Sequence, residues 1–208
     1  MKQGLFVTFE GGEGAGKTTL IEEMSRVLVE QGREVVKTRE PGGTKLGEAI
    51  RTILLLSQEE LSPYAELSLF FASRAQHIQE VILPSLKAGK IVLCDRFNDS
   101  SIAYQGIGRG LGMKEVERFS QFISNHLKPD LTLYLDLDPE IGLKRASHVK
   151  KHDRIESESL IFHEKLRKGF LAIQREDPER FFLINAENSP ETVFHEAMKY
   201  MDFVLYRT

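Results

Sequence analysis

Short apolar runs alternate along the chain with stretches in which apolar residues recur every three or four positions. Leu5-Phe6-Val7-Thr8-Phe9 reads as a strand, and Thr19 to Gln31 as a helix with Leu20, Met24, Val27 and Leu28 on one face. Glu34 to Thr38 predicts a second strand, and Thr44 a cap for a helix running to about Leu56. A longer helical region spans about Tyr64 to Ala88, interrupted near Pro84 and stopped by Gly89. Ile91-Val92-Leu93-Cys94 is apolar throughout and ends in Asp95, the pattern of a strand buried on both faces. Helices are expected from about Asp99 and from Lys114 to His126, then a strand from Leu131 to Leu137 and a helix from Pro139. A charged segment, 148–156, precedes a helix from about Glu158 to Glu176, a fifth strand from Phe181 to Asn185 and a last helix near Pro190. Such alternation predicts an α/β fold: a parallel five-stranded sheet flanked by helices, joined by right-handed crossovers.

The link between the first strand and the first helix carries the clearest chemistry. Gly11-Gly12-Glu13-Gly14-Ala15-Gly16-Lys17-Thr18 fits a phosphate-binding loop, Gly-x4-Gly-Lys-Thr, in the strand-loop-helix context that such a loop requires. Its four glycines let successive backbone N–H groups turn inward around an anion. Lys17 adds a point charge for the outer phosphates, Thr18 a hydroxyl for a phosphate-bound magnesium, and Thr19 opens the helix whose N-terminus faces the site.

With 208 residues, the chain is expected to form one domain, 1–208, around one core. A net charge of −3 argues against a nucleic acid as main partner. No run approaches ~18 apolar residues, so no membrane-spanning helix is expected. The chain enters its first strand at once, which predicts no signal peptide, and the single cysteine, Cys94, suits a reducing, cytoplasmic setting. Cys94 itself reads as a small core residue. His77, His126, His163 and His195 show no ligand clustering and read as structural or surface residues.

In an open α/β sheet, ligands gather at the carboxyl ends of the strands, and three further features fall there. Asp95-Arg96 follows the third strand, where an acid can hold a magnesium ion and an arginine fork can clamp a phosphate. Arg39-Glu40-Pro41-Gly42-Gly43 follows the second strand; it is either a plain turn or a close backbone approach to a ligand, with Arg51 reaching back toward an anion. Phe70 and Arg74 lie one helical turn apart. They form either a slot for a flat heteroaromatic or a core ring beside a solvated cation, and spacing alone does not separate the two. The run Arg145, Lys150, Lys151, His152, Arg154 is either a solvated face or a basic flap over a transferred phosphate, a lid at about 145–156.

Taken together, the loop, Arg39-Glu40-Pro41-Gly42-Gly43-Thr44, Phe70-Phe71-Ala72-Ser73-Arg74, Asp95-Arg96-Phe97, Ser100 to Gly106, Pro129 to Asp136 and Asp153-Arg154-Ile155-Glu156 resemble the bacterial thymidylate kinase family over essentially the whole chain. The resemblance implies a P-loop NTPase-type sheet with a short lid, and phosphoryl transfer from ATP to dTMP, with Mg2+, on the way to dTTP. It implies stacking of thymine on Phe70, hydrogen bonds to its edge from Arg74, Ser101 and Gln105, and Tyr104 packed where a ribose 2′-hydroxyl would sit. Glu13 would touch the 3′-hydroxyl, and Arg96, helped by Arg39 or Arg51, would bind the acceptor phosphate. Asp95 would hold magnesium through water, with Glu40 close by, and Glu40 and Pro41 would belong to the dTMP-binding set. A homodimer is also implied. Because Gly14-Ala15 leaves the loop without an internal cation, the lid would supply it, with Arg154, Lys150 and Arg145 as candidates in that order. This lid departs from its relatives in having Ser147-His148-Val149 where they carry extra arginines. A kinase for another pyrimidine nucleotide or deoxynucleoside is the alternative enzyme. A nucleotide-driven switch is the alternative from another class, although no guanine-reading Asn-Lys-x-Asp segment is present.

Overall fold

The computed structural model describes residues 4–56, 60–147, 154–155 and 157–206. Most of the expected lid, including Lys150 and Lys151, therefore lies outside the described residues. Five strands, β1 (Leu5–Gly11), β2 (Val35–Arg39), β3 (Ile91–Asp95), β4 (Leu131–Asp136) and β5 (Phe181–Asn185), form one sheet in the order β2-β3-β1-β4-β5. All four pairings are parallel, with Phe9 and Arg39 both in register with Asp95, and Gly11 opposite Leu135. The loops carrying Gly11 to Gly16, Glu40 to Gly43 and Arg96 to Phe97 consequently leave the sheet at one edge.

Alternation along β1 shows why both faces need a cover. Val7 and Phe9 pack with Leu20, Met24 and Leu28 of α1 (Lys17–Glu30) and with Val193, Ala197 and Met201 of α9 (Pro190–Tyr206). Phe6 points the other way, into a cluster with Val92, Cys94 and Phe97. A third cluster, centred on Tyr134, Phe170 and Phe181, joins α3 (Pro63–His77) to α8 (Leu160–Glu176) and encloses Phe71 and Tyr104. Thr44 caps α2 (Lys45–Leu56), its hydroxyl accepting from Gly47 N–H at 2.9 Å.

Two departures from regular helix matter for the site. The long helical region breaks before Pro84: α3 passes into a π-helical turn, Ile78–Ile82, before α4 (Leu83–Lys87). Pro84 offers no N–H to the carbonyl four residues back and its ring crowds it, so the widened turn absorbs the mismatch. The helix expected from Asp99 is likewise only a turn, α5 (Asn98–Ser101), which opens into a π-helical stretch, Ile102–Gly108. That wider winding carries Tyr104 and Gln105 to the carboxyl edge of the sheet. The remaining helices are α6 (Met113–Ile123) and α7 (Pro139–Ser147). α6 ends three residues earlier than its apolar pattern suggests, where Asn125 and His126 turn left-handed (φ 49° and 58°).

Candidate active site

The loop after β1 is shaped by what its glycines permit. Gly16 is left-handed (φ 90°) at the position that starts α1, where no side chain caps the helix, so the first N–H groups of α1 stay available to an anion. Gly14 (φ 66°) packs against α7 so closely that a Cβ there would strike the Gly142 carbonyl. Lys17 lies buried across the loop, its ammonium donating to the carbonyls of Gly11 (3.2 Å) and Gly12 (3.0 Å). Burial and the neighbouring Arg96 charge both pull its pKa below the usual lysine value.

Arg96 forms the wall opposite Lys17. Its own backbone is left-handed (φ 69°), held there by its N–H on the Phe9 carbonyl at 2.9 Å. The guanidinium then reaches back over the loop to the Gly11 carbonyl (2.9 Å) and to Glu13 Oε1 (2.6 Å), lying 5.1 Å from the Tyr104 ring centre. Burial alone would raise the Glu13 carboxyl, but Arg96 and Lys17 outweigh it and hold the group below its ordinary range. Beside Arg96, Asp95 turns one carboxylate oxygen, Oδ1, into the interior without a hydrogen-bond partner among the described residues.

Below this layer is a carboxylate that the sequence reading passed over. Glu10 is fully buried inside an apolar strand, accepting from Phe97 N–H (2.8 Å) and from the Ser100 hydroxyl (2.5 Å). Burial and the Asp99 charge push its pKa up to about 8. It ties the residues after Asp95-Arg96 to the strand that leads into the phosphate loop. An ionisable residue inside a buried apolar run was the available signal.

A second buried network organises the far side. Arg74, 1% exposed, donates from Nε to Glu40 Oε2 (2.6 Å), from Nη1 to Ser101 Oγ (2.9 Å) and from Nη2 to the Phe97 carbonyl (3.0 Å). Glu40 Oε1 meets His77 Nδ1 at 2.9 Å, and His77 Nε2 meets Thr38 Oγ1 at 2.6 Å. The Glu40 carboxylate faces Arg74 and His77, because an interior guanidinium needs a counter-charge there. Of the two readings that spacing leaves open, a solvated Arg74 is excluded: the guanidinium is locked on three sides. Two expected partners of the acceptor phosphate lie nearer the surface: Arg39 pairs with Glu48 (2.9 Å), and Arg51 donates to the Pro41 carbonyl (2.9 Å).

These groups share one cavity of about 410 Å3. Glu13 to Thr19, Arg39, Glu40, Pro41 and Arg51 line it, as do Phe70, Arg74, Asp95, Arg96, Ser101, Tyr104, Gln105 and Arg145. Lys17 and Arg96 thus face a common space. Gly11 and Gly12 back the loop instead of lining that space. Arg154 does not line it either. Placed first among lid cations by the sequence, it is held by Glu66 (2.6 Å) and by the Leu54 carbonyl (3.0 Å), while Arg145 reaches the cavity from α7. His77 and His163 are buried, and His195 is exposed beside Glu191. Cys94 sits in the core, its thiol pushed up by burial.

Comparison with known proteins agrees with this geometry. The family model for thymidylate kinase matches residues 9–197. A thymidylate kinase of Protochlamydia amoebophila is 49% identical, covering 96% of this chain and 93% of its own. One from Shouchella clausii is 45% identical, covering 100% and 99%. The solved thymidylate kinase of Ehrlichia chaffeensis superposes with a TM-score of 0.79 at 34% identity, over 96% of this chain and 99% of that one. A phosphate loop and an arginine-bearing pocket that open into one cavity, in a sequence matched over nearly its whole length, lead to one conclusion: the chain belongs to the thymidylate kinase family.

Proposed function

We propose that the shared cavity holds ATP and dTMP phosphate to phosphate, with Arg96 at their junction. The chain is an ATP-dependent kinase that converts dTMP to dTDP; the roles of its residues are our assignment. The loop N–H groups and Lys17 hold the donor's phosphates. Arg96, which reaches both the loop and Glu13, receives the acceptor phosphate, and Arg39 and Arg51 stand at the cavity margin to assist. Thymine stacks on Phe70, its edge facing Arg74, Ser101 and Gln105. Tyr104, whose hydroxyl donates to Glu13 at 3.3 Å, occupies the sugar side and disfavours a ribose 2′-hydroxyl.

The residues suit a magnesium ion. No group of three His, Cys, Asp or Glu among the described residues can hold a metal alone, so an ion would be completed by phosphate oxygens. Thr18 and Asp95 both line the cavity, and a hydroxyl with a carboxylate is a hard-cation donor set. Bound there, Mg2+ would neutralise charge on the transferred group. A phosphate oxygen is already a competent nucleophile, so no side chain acts as general base; the protein aligns two polyanions and screens their repulsion. Among the lid cations in the described residues, Arg145 has the first claim on the transferred group because it lines the cavity, with Arg154 reaching it only after leaving Glu66.

Single-domain organisation, a homodimer and a cytoplasmic setting complete the proposal; no helix among the described residues is long and apolar enough to cross a membrane. The observation that carries the assignment is the shared cavity. It is tested by ADP release with ATP, Mg2+ and each nucleoside monophosphate. dTMP should stimulate strongly and dUMP less, since a missing methyl is worth ~1–3 kcal/mol. Arg96→Ala should lose at least about a hundredfold in kcat/KM for dTMP, as expected for a charged group acting on the transition state. Near-normal turnover in that variant would remove Arg96 from the reaction.

A further inference from the structure

Glu66, Phe70 and Arg74 stand at four-residue intervals on one face of α3. The latter two line the cavity. Glu66 does not; it is 1% exposed and lies behind Gln105. Its carboxylate collects three donors: Gln105 Nε2 at 2.9 Å and Arg109 Nε at 3.1 Å on Oε1, and Arg154 Nη2 at 2.6 Å on Oε2. Burial alone would raise this carboxyl, but the hydrogen bonds from Arg109, Gln105 and Arg154 outweigh it and keep the group ionised.

An ionised carboxylate only accepts hydrogen bonds. A primary amide placed against it must therefore turn its NH2 inward, and the amide carbonyl is the end left to meet a ligand. Across the pocket, Arg74 is fixed by Glu40, Ser101 and the Phe97 carbonyl, and a guanidinium only donates. One donor and one acceptor thus line the same cavity. Thymine offers the complement, a carbonyl at C4 and an N–H at N3. Cytosine reverses both, with an amino group at C4 and a bare N3, so each contact would become a mismatch.

We infer that Glu66 is a positioning residue that sets base selectivity: by holding the Gln105 amide with its carbonyl toward the base, it makes the pocket accept an imide edge and reject an aminopyrimidine edge. This rests on the placement of the base between Phe70, Arg74 and Gln105. Of the three partners of Glu66, Gln105 alone lines the cavity, so the effect on base selectivity is carried by Gln105.

The test compares kcat/KM for dTMP and for 5-methyl-dCMP, which keeps the methyl group and reverses the edge. The wild-type chain should favour dTMP by a factor on the order of 10^4, as for sites whose buried polar groups are left unpaired by the wrong ligand. Glu66→Gln puts at 66 an amide that can donate or accept, so Gln105 is free to turn over; the preference should shrink at least about tenfold, chiefly through the KM values. Release of Arg154 in the same variant affects both substrates alike and cancels in the ratio. An unchanged ratio overturns the inference. Should Glu66→Gln not fold, Glu66→Asp, which keeps the charge but draws it back from Gln105 by one methylene, is read by the same ratio and the same two outcomes. Gln105→Leu separates this inference from its premise. If the KM for dTMP rises in Gln105→Leu while the Glu66 variants keep the wild-type ratio, the orientation mechanism alone falls. If Gln105→Leu leaves that KM unchanged, the base does not meet Gln105 and the placement falls with it.

Discussion

Glu10 offers a direct test of how a buried carboxylate holds the Asp95-Arg96 turn. Its side chain joins β1 to the Phe97 N–H and the Ser100 hydroxyl, and burial with the Asp99 charge raises its pKa from an ordinary 4.5 to about 8. The folded state therefore keeps a proton that the unfolded chain releases between those values. Stability from this group is fully present below pH 4.5 and is lost as pH rises through 8. At about 1.4 kcal/mol per pH unit, the span from 4.5 to about 8 corresponds to about 5 kcal/mol, a large part of the ~5–15 kcal/mol that holds a domain together. Glu10→Gln keeps the shape and removes the titration. Urea unfolding of both proteins at pH 5.5, 7 and 9 should show the wild-type chain losing stability relative to Glu10→Gln at each step, by several kcal/mol in all. Using the difference matters, because Glu13 and Glu66, whose pKa values are lowered, add stability that is lost on the acid side instead. Parallel stability curves for the two proteins would refute the reasoning.

Four further outcomes are expected. Glu40→Gln strips the counter-charge from a guanidinium that is 1% exposed and should cost about 3–5 kcal/mol in urea unfolding; a cost under about 1 kcal/mol would mean that Ser101 and the Phe97 carbonyl suffice. Gly14→Ala places a methyl against the Gly142 carbonyl at a left-handed position and should raise the KM for ATP at least about tenfold, since loop and α7 must part by more than the phosphate contacts tolerate. Arg145→Ala should lower kcat more than it raises the KM for dTMP, and more than Arg154→Ala lowers kcat; the reverse order, read from steady-state kinetics, would return the lid role to Arg154. Chelation of Mg2+ should abolish turnover while dTMP still quenches or shifts a pocket-reporting signal in equilibrium titration, because the base contacts we propose do not involve the ion.

The strand-helix alternation was legible because each strand is either apolar throughout or bounded by turn residues, and the phosphate loop because its glycines are needed for their φ values. Phe70 and Arg74 were legible only as a spacing. Whether an arginine on a helix is solvated or locked depends on what the loops after β2 and β3 bring to it, and Glu40, Ser101 and Phe97 are 34, 27 and 23 residues away in sequence. The π-helical stretch at Ile102–Gly108 was invisible for a related reason: an extra residue per turn leaves apolar spacing nearly intact over so short a segment, while shifting Tyr104 and Gln105 to the cavity side. Glu66 shows where the same periodicity could have been taken further. Four residues before Phe70 and eight before Arg74, it lies on the face that the slot reading had already singled out. A charged residue on that face, one turn from the ring, must either reach water or be neutralised by the pocket's own donors. Burial to 1% removes the first possibility, and Gln105, Arg109 and Arg154 supply the second. The periodicity that raised the slot reading therefore also contained the residue we infer to orient Gln105, but only the partners brought in from the π-helical stretch and the lid give that residue its chemical meaning.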